Sequence, residues 1–491
     1  VSRKAIIIGS GFAGLSAACF MARGGWQVEV LEKHAIPGGR ARQFSAAGFT
    51  FDMGPSWYWM PEIFARFFQQ FGRTVEEFYP LQRLDPSYRI YRENEIMDIP
   101  ADYDALRTLF EKTESGSAAR LDAFLEEAAF KYKVGMNKLV YKPGLSVREF
   151  ADRELFSGLL RLDVFNSVQK HVAKYFNDSR LKQLMEFPVL FLGALPQKIP
   201  ALYSLMNYAD MKGGTWYPQG GMYSIVKAMH RVATDLGVTF RFNENVQQIV
   251  IHNKTAKKVI TDKQEYTGDV VIGGADYHHI ESALLPESCR SYSEAYWNRR
   301  VMAPGCLIYY VGLNKKLSGV LHHSLFFDTS FRQHGKEIYT TPQWPSEPLF
   351  YVSTPSVTDA TVAPEGGENL FLLVPVAAGL EGDSEELRER YFNNIIQRME
   401  KHTGQSIRDA IVYKRTFAQS NFIEDYHAFK GNAYGLANTL LQTAMFKPSC
   451  KSKKVNNLFY TGQLTVPGPG VPPSLISGEV VAMQVLKEFG R

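Results

Sequence analysis

Cysteine is scarce in this chain: four among 491 residues, Cys19, Cys289, Cys306 and Cys450, with no Cys-x-x-Cys spacing. That scarcity argues against a disulfide framework and a thiolate zinc site, and suits a reducing cytosol. Long apolar runs are missing too. The best candidate, residues 187–195, contains Pro188 and is followed by Pro196, too short and too interrupted to span a bilayer. Charge of one sign is never concentrated, since 55 Lys and Arg are interspersed with 50 Asp and Glu; the net charge of +5 brings no nucleic-acid footprint. The chain shows no nucleophile elbow, no metal-ligand cluster, no catalytic triad, no repeat and no low-complexity tract. Its first apolar strand begins at Lys4, with no signal peptide expected before it.

What is abundant is aromatic side chain: 33 Phe and 25 Tyr within an aromatic share of 13%. These residues either line a large apolar cavity or contact surface, or fill a Phe-rich core. The length predicts two or three compact units.

The chain opens as strand, turn, helix, strand. Residues 5–8 are uniformly apolar, Leu15, Ala18, Cys19 and Ala22 share a helix face that Gly24-Gly25 ends, and residues 27–32 form a second parallel strand. Alternation over 48–55 predicts a short strand. Pro61, followed by Ile63, Phe64, Phe67, Phe68 and Phe71, predicts an amphipathic helix ending at Gly72. Residues 103–210 are predominantly helical in pattern. Residues 213–222 read as a loop, then comes a helix to Leu236, then strands at 238–242, 246–252 and 270–273 that return the chain to a parallel-sheet pattern. Runs at 306–313, 349–354 and 369–376 predict a second, largely antiparallel sheet. Strand 457–460, a Gly/Pro-rich turn and a helix over 473–489 close the chain.

Gly9-Ser10-Gly11-Phe12-Ala13-Gly14 lies between the first strand and helix, and Glu32 ends the next strand. In that setting each glycine has a task. Gly9 makes the tight turn, Gly11 lets the backbone approach a pyrophosphate, and Gly14 lets helix and strand pack closely, while free amides at the helix start take the negative charge. Glu32 would accept hydrogen bonds from a ribose diol. NAD and FAD both use this fingerprint, and two features favour FAD. One is Gly38-Gly39-Arg40, whose glycines and cation suit the diphosphate and flavin edge. The other is the returning terminus, Thr461-Gly462-Gln463 and then Pro467-Gly468-Pro469-Gly470-Val471-Pro472-Pro473, where a helix start can turn its positive end to the flavin N1/C2 carbonyl.

These motifs, with Gly48-Phe49-Thr50-Phe51-Asp52-Met53-Gly54-Pro55-Ser56, Trp216-Tyr217-Pro218-Gln219-Gly220-Gly221-Met222 and Ala363-Pro364-Glu365-Gly366, make the chain resemble the carotenoid desaturases of the bacterial phytoene desaturase type, within the flavin monoamine-oxidase-like superfamily. The likeness covers nearly the whole chain. It departs at Gly462-Gln463-Leu464-Thr465, where the family often has Gly-Ala-Gly-Thr-like residues, which leaves the contacts of Gln463 open.

The resemblance implies an α/β fold in three parts. A discontinuous Rossmann-like FAD-binding domain would comprise residues 1–85, 213–290 and 445–491. A mixed or antiparallel-sheet substrate domain would comprise 86–102 and 291–444, and 103–212 would be a helical, membrane-facing insertion at the channel entrance. FAD would be held by Gly9, Gly11, Phe12, Ala13, Gly14, Glu32, Lys33, Gly39, Arg40, Gly54, Pro55, Ser56, Val246, Gly462, Gln463 and Pro472. The reaction implied is desaturation of a long polyene by hydride transfer to the flavin and proton loss from the neighbouring carbon, with aromatic faces stabilising the delocalised cation. Phytoene is the default substrate, and 3,4-desaturation of a 1'-hydroxylated carotenoid such as hydroxy-γ-carotene the variant. Oxygen or a quinone would reoxidise the flavin, and the oligomeric state stays open.

Glu149, in Val147-Arg148-Glu149, is a candidate for proton removal, against a surface helix charge. His278-His279 and His322-His323, if on strands, would point to opposite faces and so form no bidentate site. Lys170, Lys174, Arg180 and Lys182 interleave with Val172, Tyr175, Phe176, Leu181 and Leu184, which suits either a lipid surface or a core-facing helix with a solvated side. The expected location is the cytoplasm, peripheral to the cytoplasmic membrane. An amine or amino-acid oxidase, and a non-catalytic carotenoid carrier or an isomerase, are the readings from other classes.

Overall fold

The computed structural model describes residues 3–146, 149 and 162–490. Five parallel strands form the first sheet, in the order Leu458–Tyr460, Val270–Gly273, Lys4–Ile8, Gln27–Glu32 and Thr239–Phe242. Ala5, Ile6 and Ile7 at its centre are fully buried, as an all-parallel sheet covered on both faces requires. The helix Phe12–Arg23 packs between Tyr223–Asp235 and the terminal helix Val471–Phe489. The terminal crossing is so close that a Cβ on Gly478 would stand 2.3 Å from Ala13 O.

The second sheet has seven strands, in the order Ile411–Phe417, Gly305–Leu313, Glu368–Val376, Phe350–Ser353, His323–Phe326, Tyr88–Tyr91 and Ile96–Ile99. Every pairing is antiparallel except that of His323–Phe326 with Tyr88–Tyr91. Along Gly305–Leu313 the side chains alternate between two cores. Leu307, Tyr309, Val311 and Leu313 face the helix Glu385–Thr403, while Cys306, Ile308 and Tyr310 face the helical segments. Being covered twice, the strand reads as one apolar run.

Three expectations are corrected. Trp216–Pro218 lies in a strand, paired with Leu81–Arg83, where a loop was read from its glycine flanks. Val246–His252 joins no parallel sheet: it folds back on Thr255–Thr261, because Asn253 and Lys254, at φ 48° and 58°, close a two-residue hairpin. His278 and His279 sit on a helical turn capped by the Asp276 carboxylate, and only His323 of the other pair begins a strand.

The basic helices Val168–Tyr175 and Ser179–Glu186 turn their apolar side inward: Val172, Phe176, Leu181 and Leu184 are completely buried. Lys174 and Arg180 are paired with Asp163 and with Asp178 and Glu95. That face is core and offers no lipid contact. No helix among the described residues is long and apolar enough to cross a membrane.

Candidate functional site

The glycine-rich turn sits at the carboxyl end of the central strand, and its three glycines occupy three different environments. Gly9 has φ +94°, a left-handed conformation that a side chain would strain. A Cβ on Gly14 would stand 2.0 Å from Gly9 O. A Cβ on Gly11 would meet nothing within 4 Å, so the backbone there is open to a ligand at the start of the helix Phe12–Arg23. Those are the requirements of a pyrophosphate cradle, and the residues present fit one.

Glu32 is buried at the end of its strand. It accepts from the N–H and the hydroxyl of Ser10 at 2.9 and 2.6 Å, and from the His34 N–H at 2.9 Å. Lys33 donates to Glu424 O at 2.8 Å, and burial lowers its pKa. Val246 reaches this end through its neighbours, since the Glu244 N–H donates to Glu32 O and the Asn243 N–H to His34 O.

The second glycine motif lies on the first. The Gly38 N–H donates to Ser10 O at 2.9 Å, and a Cβ on Gly39 would stand 3.4 Å from Gly11 Cα. Arg40 follows, its guanidinium 5.2 Å from the Tyr426 ring centroid and its Nε buried without a partner among the described residues. A buried donor left unpaired in this position is what an absent anionic group would satisfy. Burial lowers the Arg40 pKa and raises that of nearby Asp276, which Arg40 partly offsets. Gly54 backs the same residue, where a Cβ would stand 2.7 Å from Arg40 O.

From the terminus, Gly462 approaches Ala13 (3.9 Å from a Cβ placed on it to the Ala13 Cβ) and its N–H donates to Ser477 Oγ. Gln463 Nε2 donates to Asn432 Oδ1 at 3.1 Å, and with the amide reversed its oxygen would face Arg40 Nη2 at 3.1 Å. In either orientation the Gln463 amide lies between Arg40 and the segment around Asn432. The terminal helix begins Val471-Pro472-Pro473, and because proline has no N–H, Pro472 can offer no backbone donor to a ligand there.

The structure thus brings Gly9, Gly11, Gly14, Glu32, Gly39, Arg40, Gly54, Gly462 and Gln463 together at the carboxyl end of the central strand. Glu149 is different. Its carboxylate accepts from the N–H groups of Gly144, Leu145 and Ser146, at 2.8, 2.9 and 3.0 Å, closing a local turn. Val147 and Arg148, quoted with it, lie outside the described residues.

Next to Gly54 the site opens into the sheet domain. Tyr351 donates to Ser56 Oγ at 3.0 Å and pairs with His323 Nδ1 at 2.6 Å, while the His323 ring stacks on Trp57 with centroids 4.2 Å apart. Burial, aided by His322, holds His323 well below the usual imidazole pKa, hence neutral. Tyr351 also walls an apolar pocket of about 670 Å³, the solvent-open space at its mouth included, lined by Phe187, Leu190, Phe331, Ile338 and Tyr434 among others, with no carboxylate among its described lining. A second, more polar pocket lies by Asp52, Ser56 and His322. The sequence alone did not mark Tyr351, Tyr426 or Asn432, and it set His323 aside as no part of a bidentate site. The aromatic excess was the one signal pointing their way.

Comparison with known proteins agrees with this geometry. Residues 12–486 match the family described as flavin containing amine oxidoreductase. The chain is 39% identical over 486 residues to a carotenoid 3,4-desaturase of Haloarcula japonica, covering 98% of each chain. It is 30% identical to a zeta-carotene-forming phytoene desaturase of Myxococcus xanthus, over 99% of this chain and 94% of that one. Among solved structures, cyclohexylamine oxidase from Brevibacterium oxydans shares the fold at a TM-score of 0.60 and 14% identity, with 100% of both chains covered.

Proposed function

The chain belongs to the flavin-containing amine oxidoreductase family, and from that premise we propose that it is a carotenoid desaturase acting at the C3–C4 bond of a hydroxylated acyclic or partly acyclic carotenoid. It is an FAD-dependent oxidoreductase. When bound, FAD supplies the hydride acceptor. The chain's own residues hold and orient: the open backbone at Gly11 and the start of the helix Phe12–Arg23 receive the diphosphate, Glu32 the ribose, and Arg40 the charge that its unpaired Nε lacks.

The observation that carries the substrate reading is the apolar cavity behind Tyr351. A polyene gains about 0.8 kcal/mol for each methylene taken from water, so such a wall needs no polar contact to hold it. Tyr351 and Tyr434, both in that lining, offer aromatic rings to a developing cation. No carboxylate stands in the described lining to pair with an amine. Phytoene, the default of the sequence reading, is supported by relatives at 30% and 28% identity, and 3,4-desaturation by one at 39%.

A polyene comes from a bilayer, and the proposal includes contact with the cytoplasmic membrane surface and reoxidation by oxygen or a quinone. Exposed Phe165, Leu440, Leu441 and Phe446 support that contact. Their segments are neighbours, because Ala201 N donates to Asn166 O and the Tyr203 hydroxyl lies 2.8 Å from that of Thr443. The test is product analysis with flavin-loaded protein and liposomal substrates. A 1'-hydroxylated carotenoid should gain one double bond at C3–C4; conversion of phytoene alone would replace the substrate, and oxidation of amines alone would overturn the reading.

A further inference from the structure

The turn that leads into the terminal helix holds two buried polar heads without partners. Lys447 is 5% exposed and Asn438 3%. Lys447 Nζ and Asn438 Oδ1 have no hydrogen-bond partner among the described residues, although leaving such groups unpaired costs stability. Both flank one spot. Gly468 has φ +139°, and a Cβ placed on it would stand 3.2 Å from Lys447 Nζ and 3.3 Å from Asn438 Oδ1. Glycine keeps that space open.

The spot is held firmly and lies between the two sites already described. The Thr465 hydroxyl donates to Pro448 O at 2.6 Å, fixing Lys447 against the turn. The Asn438 N–H donates to Leu192 O at 2.8 Å, in the short helix Phe187–Leu192 that gives Phe187 and Leu190 to the apolar cavity. Tyr434, four residues before Asn438, is part of the same wall. On the other side Gly462, six residues before Gly468, rests on Ala13 of the cofactor helix.

The two heads ask for complementary things. Asn438 Oδ1 can only accept a hydrogen bond, and Lys447 Nζ donates one in either protonation state. Burial lowers the Lys447 pKa to about 7, and no carboxylate among the described residues offsets it. A hydrocarbon would leave both unpaired, and a carboxylate has no proton for Oδ1. A hydroxyl satisfies both through a single oxygen.

We infer that Lys447, Asn438 and Gly468 form a specificity pocket for one hydroxyl group of the polyene substrate. This rests on the desaturase reading and deepens it: the pocket would make the hydroxylated substrate the preferred one. The lactam edge of a flavin carries the same donor and acceptor pattern on two atoms, and the experiment separates the two sources.

The experiment compares flavin-loaded wild type, Lys447→Met and Asn438→Leu with two liposomal polyenes that differ only in the hydroxyl. Both binding, read as the shift in polyene absorbance, and flavin reduction under anaerobic conditions are followed. Wild type should favour the hydroxylated polyene by about tenfold or more in binding and in kcat/KM, and each variant should bring that ratio close to one. The inference is overturned if wild type shows no hydroxyl preference, if a variant lowers both substrates alike, or if the variants change FAD affinity and leave the ratio intact. Preference in binding without flavin reduction would support the pocket and sink the desaturase reading; equal reduction by both polyenes would do the reverse.

Discussion

Glu32 accepts two hydrogen bonds from Ser10, one from its N–H and one from its hydroxyl. The acid that the sequence assigns to a ribose therefore also fixes the shape of the turn that receives the diphosphate. Glu32→Ala should weaken FAD binding by roughly tenfold to a hundredfold, the range for losing a hydrogen bond to a charged group. Titration of the apoprotein by flavin fluorescence checks this, and unchanged affinity would remove Glu32 from the site.

Gly11 and Gly14 should fail differently. Gly11→Ala places its methyl in open space, so the protein keeps its melting temperature while flavin content falls. Gly14→Ala drives a methyl against Gly9 O and should cost at least about 2 kcal/mol of stability, within the range for overpacking. Thermal melts of the two apoproteins, with flavin content measured alongside, separate the roles.

Lys447 makes stability depend on pH in a predictable direction. Its pKa is about 7 in the folded chain against the ordinary 10.5. Between those values the unfolded chain binds more protons, so this residue's contribution to stability rises with pH, by at most about 1.4 kcal/mol per unit. Lys447→Met should therefore be more stable than wild type near neutral pH, and the gap should close by pH about 10.5. Denaturant melts across that window test it; a constant gap would contradict the burial.

The apolar edge near Tyr203 yields another expectation. Leu441→Asp combined with Phe446→Asp should reduce sedimentation with liposomes while flavin content stays unchanged, both side chains being exposed. Unaltered sedimentation would move the lipid contact elsewhere.

Much of the nucleotide-binding half was legible in the sequence, because Gly9, Gly11, Gly14 and Glu32 act through spacing along one continuous strand-turn-helix-strand. The rest depends on residues far apart in the chain. Ser56 meets Tyr351, and Gln463 meets Arg40, only after the sheet domain has closed. The helices around Lys174 and Arg180 illustrate the other limit: an amphipathic pattern shows that an apolar face exists, and tertiary packing decides whether lipid or core covers it. Trp216–Pro218 became a strand through pairing with Leu81–Arg83, a partner more than a hundred residues away.

The most direct test of the account is anaerobic mixing of the flavin-loaded protein with a 1'-hydroxylated carotenoid in liposomes, following the visible absorbance of the flavin. The account predicts loss of that absorbance in step with formation of one new C3–C4 double bond per flavin. A flavin that stays oxidised with carotenoids, and is reduced only by amines, would contradict it.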